Sequence, residues 1–566
     1  MPNFYKDNKD ILFLLDNIDI SKIILLREKD FKEKDIYEYA PSNVEDAMEN
    51  YKIALDILGD ICGNVVAPMA KDVDIEGARF ENGEVHYANG TKEALQRLTQ
   101  ADFMGFTIPR KYGGLNFPKT IYSLAIEMVS RADASLMNLF GLQEISETIY
   151  RFGTEAQRKK YLPKFCSGEY TGAMALTEPD AGSDLQAVSL KAHLGNDGRW
   201  YLDGVKRFIT NGCADIILVL ARSEPNIKGA RGLSLFIYKR DEHIKIRRIE
   251  EKLGIHGSPT CEIMFTHAPA ELLGERKLGL VKYTFSLMNG ARLGVAAQGV
   301  GIAEAAYRMA YDYASSRKQF GSSIIEFPQV YEMLINMKVD IEAARRLVYF
   351  TSNIVDLKES FEERLENSGD KTLKKEFKQY SRYASFLTPM SKIFATEMAN
   401  RVAYDALQIH GGVGYTKDFE IERVYRDARI TNIYEGTTQL QVHAAIGGVI
   451  TGGVMNLTDE LILKINDSNL KQGIFELKEC LDSCIKHIKE VGDSQFQHYH
   501  ARRLVELGIF LITSCLLAID AKKDLRKQKV ADIFLNRAIA KSHEYKKYIL
   551  SIPPSVIKLK NEILND

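Results

Sequence analysis

Disulfide and thiolate-metal chemistry are the first things this chain lacks. Its seven cysteines are scattered over 566 residues, none in a C-x-x-C pair, and the nearest two, Cys480 and Cys484, stand four apart as helix neighbours do. That excludes a disulfide framework and a cysteine-built metal site, so no metal is expected and reduced thiols fit a cytoplasmic protein. An excess of one charge is also missing. With 75 basic and 76 acidic residues the net charge is −1, so bulk electrostatics gives no reason to expect nucleic acid or an anionic membrane as partner. Long apolar runs are scarce too. The opening MPNFYKDNKDILFLL has no basic region followed by an unbroken apolar stretch, and no signal peptide is expected. Residues 509–521, the most apolar late segment, are interrupted by Thr513, Ser514 and Asp520; they read as a core helix rather than a bilayer span, and no integral membrane association is expected.

What is present is a globular composition, 45% hydrophobic and 27% charged, on a chain long enough for three or four domains. Residues 1–45 are charged and weakly periodic, an N-terminal extension. Over 46–170 apolar residues recur at helical spacing, as in Ala94, Leu95, Leu98 and Met104. The texture changes over 171–276, where short alternating runs (173–177, 190–194, 200–210, 216–221, 233–238 and 262–266) are separated by turns such as Gly195-Asn196-Asp197-Gly198. This predicts a small antiparallel β-domain. Helical patterns return over 277–452, with the charge-dense 358–378 read as a solvated helix pair or insertion. A glycine-rich joint (Gly447, Gly448, Gly452, Gly453) leads into an additional helical region, 453–566. The fold class expected is α+β, mainly helical, in the order helical, β, helical, helical.

Several segments can carry chemistry, and each also has an ordinary structural reading. Thr177-Glu178-Pro179-Asp180-Ala181-Gly182-Ser183-Asp184 makes a tight loop whose N–H groups and hydroxyls suit a polar heterocycle or phosphate, and equally an ordinary turn. In Lys206-Arg207-Phe208-Ile209-Thr210-Asn211-Gly212, strand alternation puts Phe208 and Thr210 on one face, which suits a flat polar-edged ring or simply a core. Arg317-Lys318-Gln319-Phe320-Gly321 follows a helix. Its guanidinium suits a pyrophosphate, or only the helix dipole before a glycine stop. The glycines of Gln408-Ile409-His410-Gly411-Gly412-Val413-Gly414-Tyr415 permit close backbone approach, but the spacing is not G-x-G-x-x-G and no strand precedes it, which rejects a Rossmann site. His410 reads as a structural histidine. In Ile433-Tyr434-Glu435-Gly436-Thr437-Thr438-Gln439-Leu440-Gln441, Thr437 or Thr438 can cap the next helix, and Thr438 with Gln441 matches a capping box. Glu435 is then either an acid at a helix N-terminus or a carboxylate at a loop mouth, with the Gly436 N–H available to a substrate carbonyl.

In this order and spacing the segments resemble one family, the acyl-CoA dehydrogenases. Glu251-Lys252-Leu253-Gly254-Ile255-His256-Gly257-Ser258-Pro259-Thr260, Asn289-Gly290-Ala291-Arg292 and Tyr425-Arg426-Asp427-Ala428-Arg429 extend the match, which covers roughly residues 50–450. The outer regions look like the larger bacterial members, including the 3-methylmercaptopropionyl-CoA dehydrogenase-like subfamily. The resemblance implies a helical domain, a β-domain and a four-helix domain. It also implies FAD contacted by Met174, Leu176, Thr177, Ser183, Phe208 and Thr210, completed by Thr437 and Gln439, with Arg317, Phe320, Gln408, Gly411 and Gly412 reaching the FAD of a neighbouring subunit. Ser183, Asn289, Arg292, Tyr434 and Gly436 would meet the acyl-CoA. Many relatives have tryptophan at the position of Phe208, and some have tyrosine at that of Met174. One branch carries its catalytic glutamate just before the arginine of the Asn289 motif; here that residue is Ala291, which leaves Glu435 as the base.

The implied reaction is α,β-dehydrogenation of an acyl-CoA to a trans-2-enoyl-CoA, within fatty-acid β-oxidation. Glu435 takes the α-proton, flavin N5 takes the β-hydride, and the Glu435 N–H and a ribityl hydroxyl hold the thioester oxygen. Electrons pass to electron-transfer flavoprotein, from a homodimer at least, a tetramer being possible. The alternatives are an acyl-CoA oxidase meeting O₂ directly, and a flavoprotein of this fold retained as an assembly scaffold. Chain length and branching depend on pocket residues around 135–144 and Tyr434.

Overall fold

The alternation in residues 171–276 becomes seven strands: β1 (Gly172–Ala175), β2 (Lys191–Leu194), β3 (Trp200–Thr210), β4 (Ile216–Arg222), β5 (Leu233–Lys239), β6 (Ile244–Ile249) and β7 (Thr260–Leu273). The pairings β4–β2–β3–β7–β5–β4 run round a closed ring of five strands, with β1 added to β4 and β6 to β7. The sheet is not purely antiparallel as expected: β1 and β2 both pair parallel to β4. Apolar alternation reports which face a residue occupies but not which way its neighbour runs. The sequence reading also missed β6, whose Ile-Lys-Ile-Arg-Arg-Ile is half charge, and ended β7 early, where His267 at φ 48° and Pro269 break the pattern.

This is a computed structural model, and it describes residues 2–368 and 371–564. They form two compact units: Met1–Ala306 with Gly411–Thr431, and Tyr307–His410 with Asn432–Asp566. In the first, β4 is apolar on both faces for a reason. Ile217, Val219 and Ala221 join Phe236, Ile263 and Phe265 in one core, while Ile216, Leu218 and Leu220 pack with Ile149, Leu162 and Phe165 from helices Ile145–Phe152 and Glu155–Cys166 in another. Each such aliphatic side chain withdrawn from water contributes roughly 1.5–3 kcal/mol.

Residues 1–45 are no loose extension. Helices Lys9–Asn17 and Ser21–Arg27 bury Ile11, Leu14, Leu15, Ile23 and Ile24, and Glu28 makes a two-pronged ion pair with Arg110 at 2.6 and 3.0 Å, both side chains 1% exposed. Helices of nine and seven residues are too short for periodicity to emerge.

The second unit is helical: Pro328–Ser368, Lys374–His410, Thr438–Ile450, Gly453–Ile462, Ser468–Val491, Ser494–Ala521 and Leu525–Ser551. In the charge-dense stretch 358–378 two long helices meet. As far as Ser368 it continues one long helix, residues 369–370 lie outside the described residues, and Lys374 begins the next. Arg346–Asp520 (2.7 Å) and Glu342–Lys527 (2.7 Å) tie the last helices to Pro328–Ser368. Residues 509–521 proved to be only the second half of Ser494–Ala521. Among the described residues this helix and Val44–Glu76 are long and apolar enough to cross a membrane, but 83% of the apolar window of Ser494–Ala521 is buried within the protein.

Candidate functional site

In the second unit, the loop before helix Thr438–Ile450 is tied at both ends. The Thr438 N–H donates to the Asn432 carbonyl (3.1 Å), and the Thr438 hydroxyl donates to Glu397 (2.6 Å). Thr437 caps the helix, its Oγ1 accepting from the Leu440 N–H. The Thr438–Gln441 capping box does not form. The buried Gln441 amide instead donates to the carbonyls of Glu435 (3.1 Å) and Gly436 (3.0 Å), and the buried Lys392 Nζ donates to Gly436 (2.9 Å). With two successive carbonyls held, Glu435 sits at φ 54° and Gly436 at φ 91°. A left-handed backbone costs a non-glycine residue about 1–2 kcal/mol, and Glu435 is held there by its neighbours. Tyr434 and Glu435 are half-buried and Gln439 is exposed.

The same unit carries Arg317 and Phe320. Lys318–Gln319 and Ser322–Ser323 form a miniature hairpin, with Phe320 at φ 51° and Gly321 at φ 85° as its two-residue turn. The turn presents Phe320 to solvent, 95% exposed, beside the exposed Arg317. Gln408 is exposed at the end of Lys374–His410. His410 is buried, stacks on Tyr313 at 4.5 Å and meets the Ala406 carbonyl through Nδ1; burial pulls its pKa down, which keeps it neutral and structural.

The first unit carries the remaining candidates. Gly411 and Gly412 lie exposed in open space, with nothing within 4 Å of a Cβ built on either. Thr177 is half-buried and Ser183 exposed in a turn closed by paired bonds between Glu178 and Ala181. Phe208 does not sit in a plain strand as the alternation implied. Arg207 and Phe208 together oppose Glu262 in a bulge, and Phe208, at φ 60°, is 53% exposed. Thr210 still leaves the core as expected, past buried Ile209. Leu176 packs its side chain in the core, and its carbonyl accepts from Lys206.

That lysine belongs to a pair the sequence reading did not single out. Lys206 Nζ, fully buried, donates to Glu178 at 2.9 Å, and Glu178 also accepts from the Ser189 N–H and hydroxyl (both 2.8 Å) and the Leu190 N–H (2.9 Å). Burial works to raise the Glu178 carboxyl, but Lys206 and these N–H groups outweigh it and hold it below its ordinary value; burial draws Lys206 down to about 8. The pair pins the base of the 177–184 turn.

Met174 and the Asn289–Arg292 segment meet at one cavity of about 40 Å³. Met174, Leu287, Gly290 and Ala291 share its lining with Lys119, Glu144, Glu147 and Arg151. Asn289 is exposed and accepts from Arg292 at 3.1 Å. The charged residues here went unnoticed in the sequence because they converge from separate helices.

The remaining motifs serve as scaffold. Asp427 accepts from the Ile255 N–H, and Asp74 binds Arg426 at 2.6 and 3.1 Å and His256 at 2.9 Å. A Cβ on Gly254 would stand 2.6 Å from Asp427 Oδ1 and 2.8 Å from Arg426 C, so Gly254→Ala should cost about 1–3 kcal/mol, read as a lowered melting temperature. Asp74 raises the His256 pKa above its ordinary value. A raised pKa gives stability that is complete below about pH 6.5 and fades as pH rises through the folded value. Thermal unfolding should therefore show falling stability from pH 6 to pH 9, and His256→Gln should flatten that part of the profile.

The chain matches the acyl-CoA dehydrogenase N-terminal domain over residues 50–169, the middle domain over 173–268, the C-terminal domain over 281–447, and a further acyl-CoA dehydrogenase C-terminal family over 454–555. It is 36% identical over 430 residues to the 3-methylmercaptopropionyl-CoA dehydrogenase of Ruegeria pomeroyi, covering 71% of this chain and 70% of that protein. The solved butyryl-CoA dehydrogenase of Megasphaera elsdenii superposes with TM-score 0.61 at 32% identity, over 71% of this chain and 98% of its own. An acyl-CoA dehydrogenase from Bacillus anthracis, solved with FAD, superposes with TM-score 0.76 at 25% identity over 89% of this chain and 88% of its own.

Proposed function

Since the chain belongs to the acyl-CoA dehydrogenase family, and so to the oxidoreductases acting on the CH–CH group of acyl-CoA, we propose that Glu435 is its catalytic base and FAD its cofactor. The observation that carries this is the loop geometry: a carboxylate held at φ 54° by Gln441 and Lys392, ahead of a glycine. Non-glycine residues kept in such conformations concentrate at reactive sites, where neighbouring contacts over-determine them.

The residues fit FAD. Phe208 and Phe320 are exposed aromatics on left-handed backbone, and Gly411 and Gly412 leave room for a ligand to approach the main chain. Met174, Thr177, Ser183, Phe208 and Thr210, with the Leu176 N–H, would hold the flavin, joined by Thr437 and Gln439. Arg317, Phe320, Gln408, Gly411 and Gly412 would reach the cofactor of a second subunit, which requires at least a homodimer. Bound there, FAD supplies the two-electron acceptor for the β-hydrogen.

The chain's own residues do the rest. The Glu435 carboxylate takes the α-proton, and an acyl chain that excludes water makes that carboxylate the stronger base. With the carbonyls of 435 and 436 already bonded, the loop is held rigidly, and the Glu435 N–H would be the chain's own donor to the thioester oxygen. One such donor is worth roughly 2.7–4 kcal/mol to a developing oxyanion. Tyr434 borders the acyl chain, and Ser183, Asn289 and Arg292 face the CoA portion. The product is a trans-2-enoyl-CoA, and the electrons leave to electron-transfer flavoprotein. The test is anaerobic bleaching of bound flavin by a panel of straight, branched and cyclic acyl-CoAs. Bleaching by at least one, reversed by added electron-transfer flavoprotein, is expected; a flavin that none of them bleaches would overturn the reading.

A further inference from the structure

On the solvent face of the sheet three adjacent strands bring two imidazoles and a carboxylate together. His193 on β2, Asp203 on β3 and His267 on β7 each offer one donor atom, and the three donors lie within 4.8 Å of one another. His193 pairs with Tyr201, and Asp203 stands two residues further along β3, so both occupy the same side of the pleat. Both histidines are exposed and Asp203 is half-buried.

His267 would not join them in a regular strand. Phe265 faces the core, so plain alternation would turn His267 inward as well. Instead Leu202 pairs with Ala268 and Gly204 with Phe265, which leaves Thr266 and His267 together opposing Asp203 in a bulge. The extra residue lets both point outward, and buried Ala268 resumes the inner face. His267 adopts φ 48° to do so, a left-handed backbone of the kind that concentrates at functional sites.

The cluster is also braced. Asp203 Oδ1 accepts from the His267 N–H at 2.8 Å, which fixes the carboxylate and leaves Oδ2 towards His193. The His267 ring stacks on Tyr201 at 3.9 Å and 6°, and Tyr201 is held in turn by its hydroxyl on Asp197 at 2.6 Å. Outer contacts of this sort orient the ligands of a metal. His193 Nδ1 stands 3.5 Å from Asp203 Oδ2, which is long for a hydrogen bond. It matches the roughly 3.4 Å between neighbouring donors around a tetrahedral ion with bonds of about 2.1 Å. Three donors no more than 4.8 Å apart share a centre within about 2.8 Å of each, and small side-chain rotations close the remainder. The scatter of the cysteines excludes a thiolate site and does not bear on histidines that strand pairing assembles.

We propose that His193, Asp203 and His267 bind one divalent transition ion of the zinc type, which ties β2, β3 and β7 together and keeps a coordination position open to solvent. Two imidazoles and one carboxylate suit zinc and its neighbours, whereas magnesium and calcium take oxygen ligands. No residue assigned to the flavin or the thioester takes part, so this site stands apart from the dehydrogenase reading.

Calorimetric titration of zinc chloride into the full-length, FAD-loaded protein, stripped with EDTA and free of any histidine tag, tests it. One ion per chain should bind with a Kd below about 100 μM and raise the melting temperature. X-ray absorption at the zinc edge should show nitrogen and oxygen ligands without sulfur, which excludes capture by Cys213. His193→Ala should weaken binding at least about ten-fold, and so should His267→Asn, whose side chain tolerates the left-handed backbone. Binding weaker than about 100 μM, sulfur among the ligands, or a smaller loss in either folded variant would each overturn the proposal.

Discussion

Glu435→Gln is expected to retain FAD and to reduce it about 10²–10⁴-fold more slowly than the parent when acyl-CoA is added anaerobically, the span a positioned general base contributes. Glutamine keeps the shape of the side chain and the backbone N–H groups of the loop, so substrate binding should change little and the loss should fall on the rate of bleaching. The backbone strain is not relieved, because Gln441 and Lys392 still hold the carbonyls of 435 and 436. Stopped-flow absorbance of the flavin checks this. Bleaching at the parent rate would remove Glu435 from the chemistry altogether.

Lys206→Met should be the most damaging substitution away from the loop. It leaves Glu178 buried with its charge and without its cation, a change that costs about 3–5 kcal/mol. The loss should appear as a lower melting temperature and as FAD shed on gel filtration, since Glu178 also holds Ser189 and Leu190 and thereby the turn carrying Thr177 and Ser183. Adding Glu178→Gln to Lys206→Met removes the stranded charge and should recover part of the stability. A Lys206→Met protein that melts and holds FAD like the parent would show that the pair anchors nothing.

Much of the architecture was legible in the sequence because it follows from period and punctuation. The order of helical and β textures, the full extent of β3 and the reading of His410 as structural follow from local residues alone, and the fold class is borne out by the family matches and the structural neighbours. What failed depended on partners distant in the chain. The helices of residues 9–27 are fixed by what they pack against, and the direction of β1 relative to β4 is set by pairing. The site divides in the same way. The loop of Glu435, the proposed base, stands out by its motif, whereas its left-handed backbone depends on Lys392 from another helix, and the charged lining of the cavity comes from residues no local pattern connects. The capping box at Thr438 looked sound by spacing, but the Gln441 amide found two loop carbonyls instead of an N-cap N–H.

The five-strand ring also governs how the first unit fails on heating. Its β4–β5 seam joins strands adjacent in the chain, so it re-forms readily, whereas β3 and β7 must find each other across three intervening strands. Opening there exposes two long strand edges at once, β7 carrying the Ile263–Phe265 apolar run, and such edges pair with those of other molecules. Turbidity should therefore rise together with the loss of β-sheet signal rather than after it, and heat inactivation should be irreversible at high protein concentration.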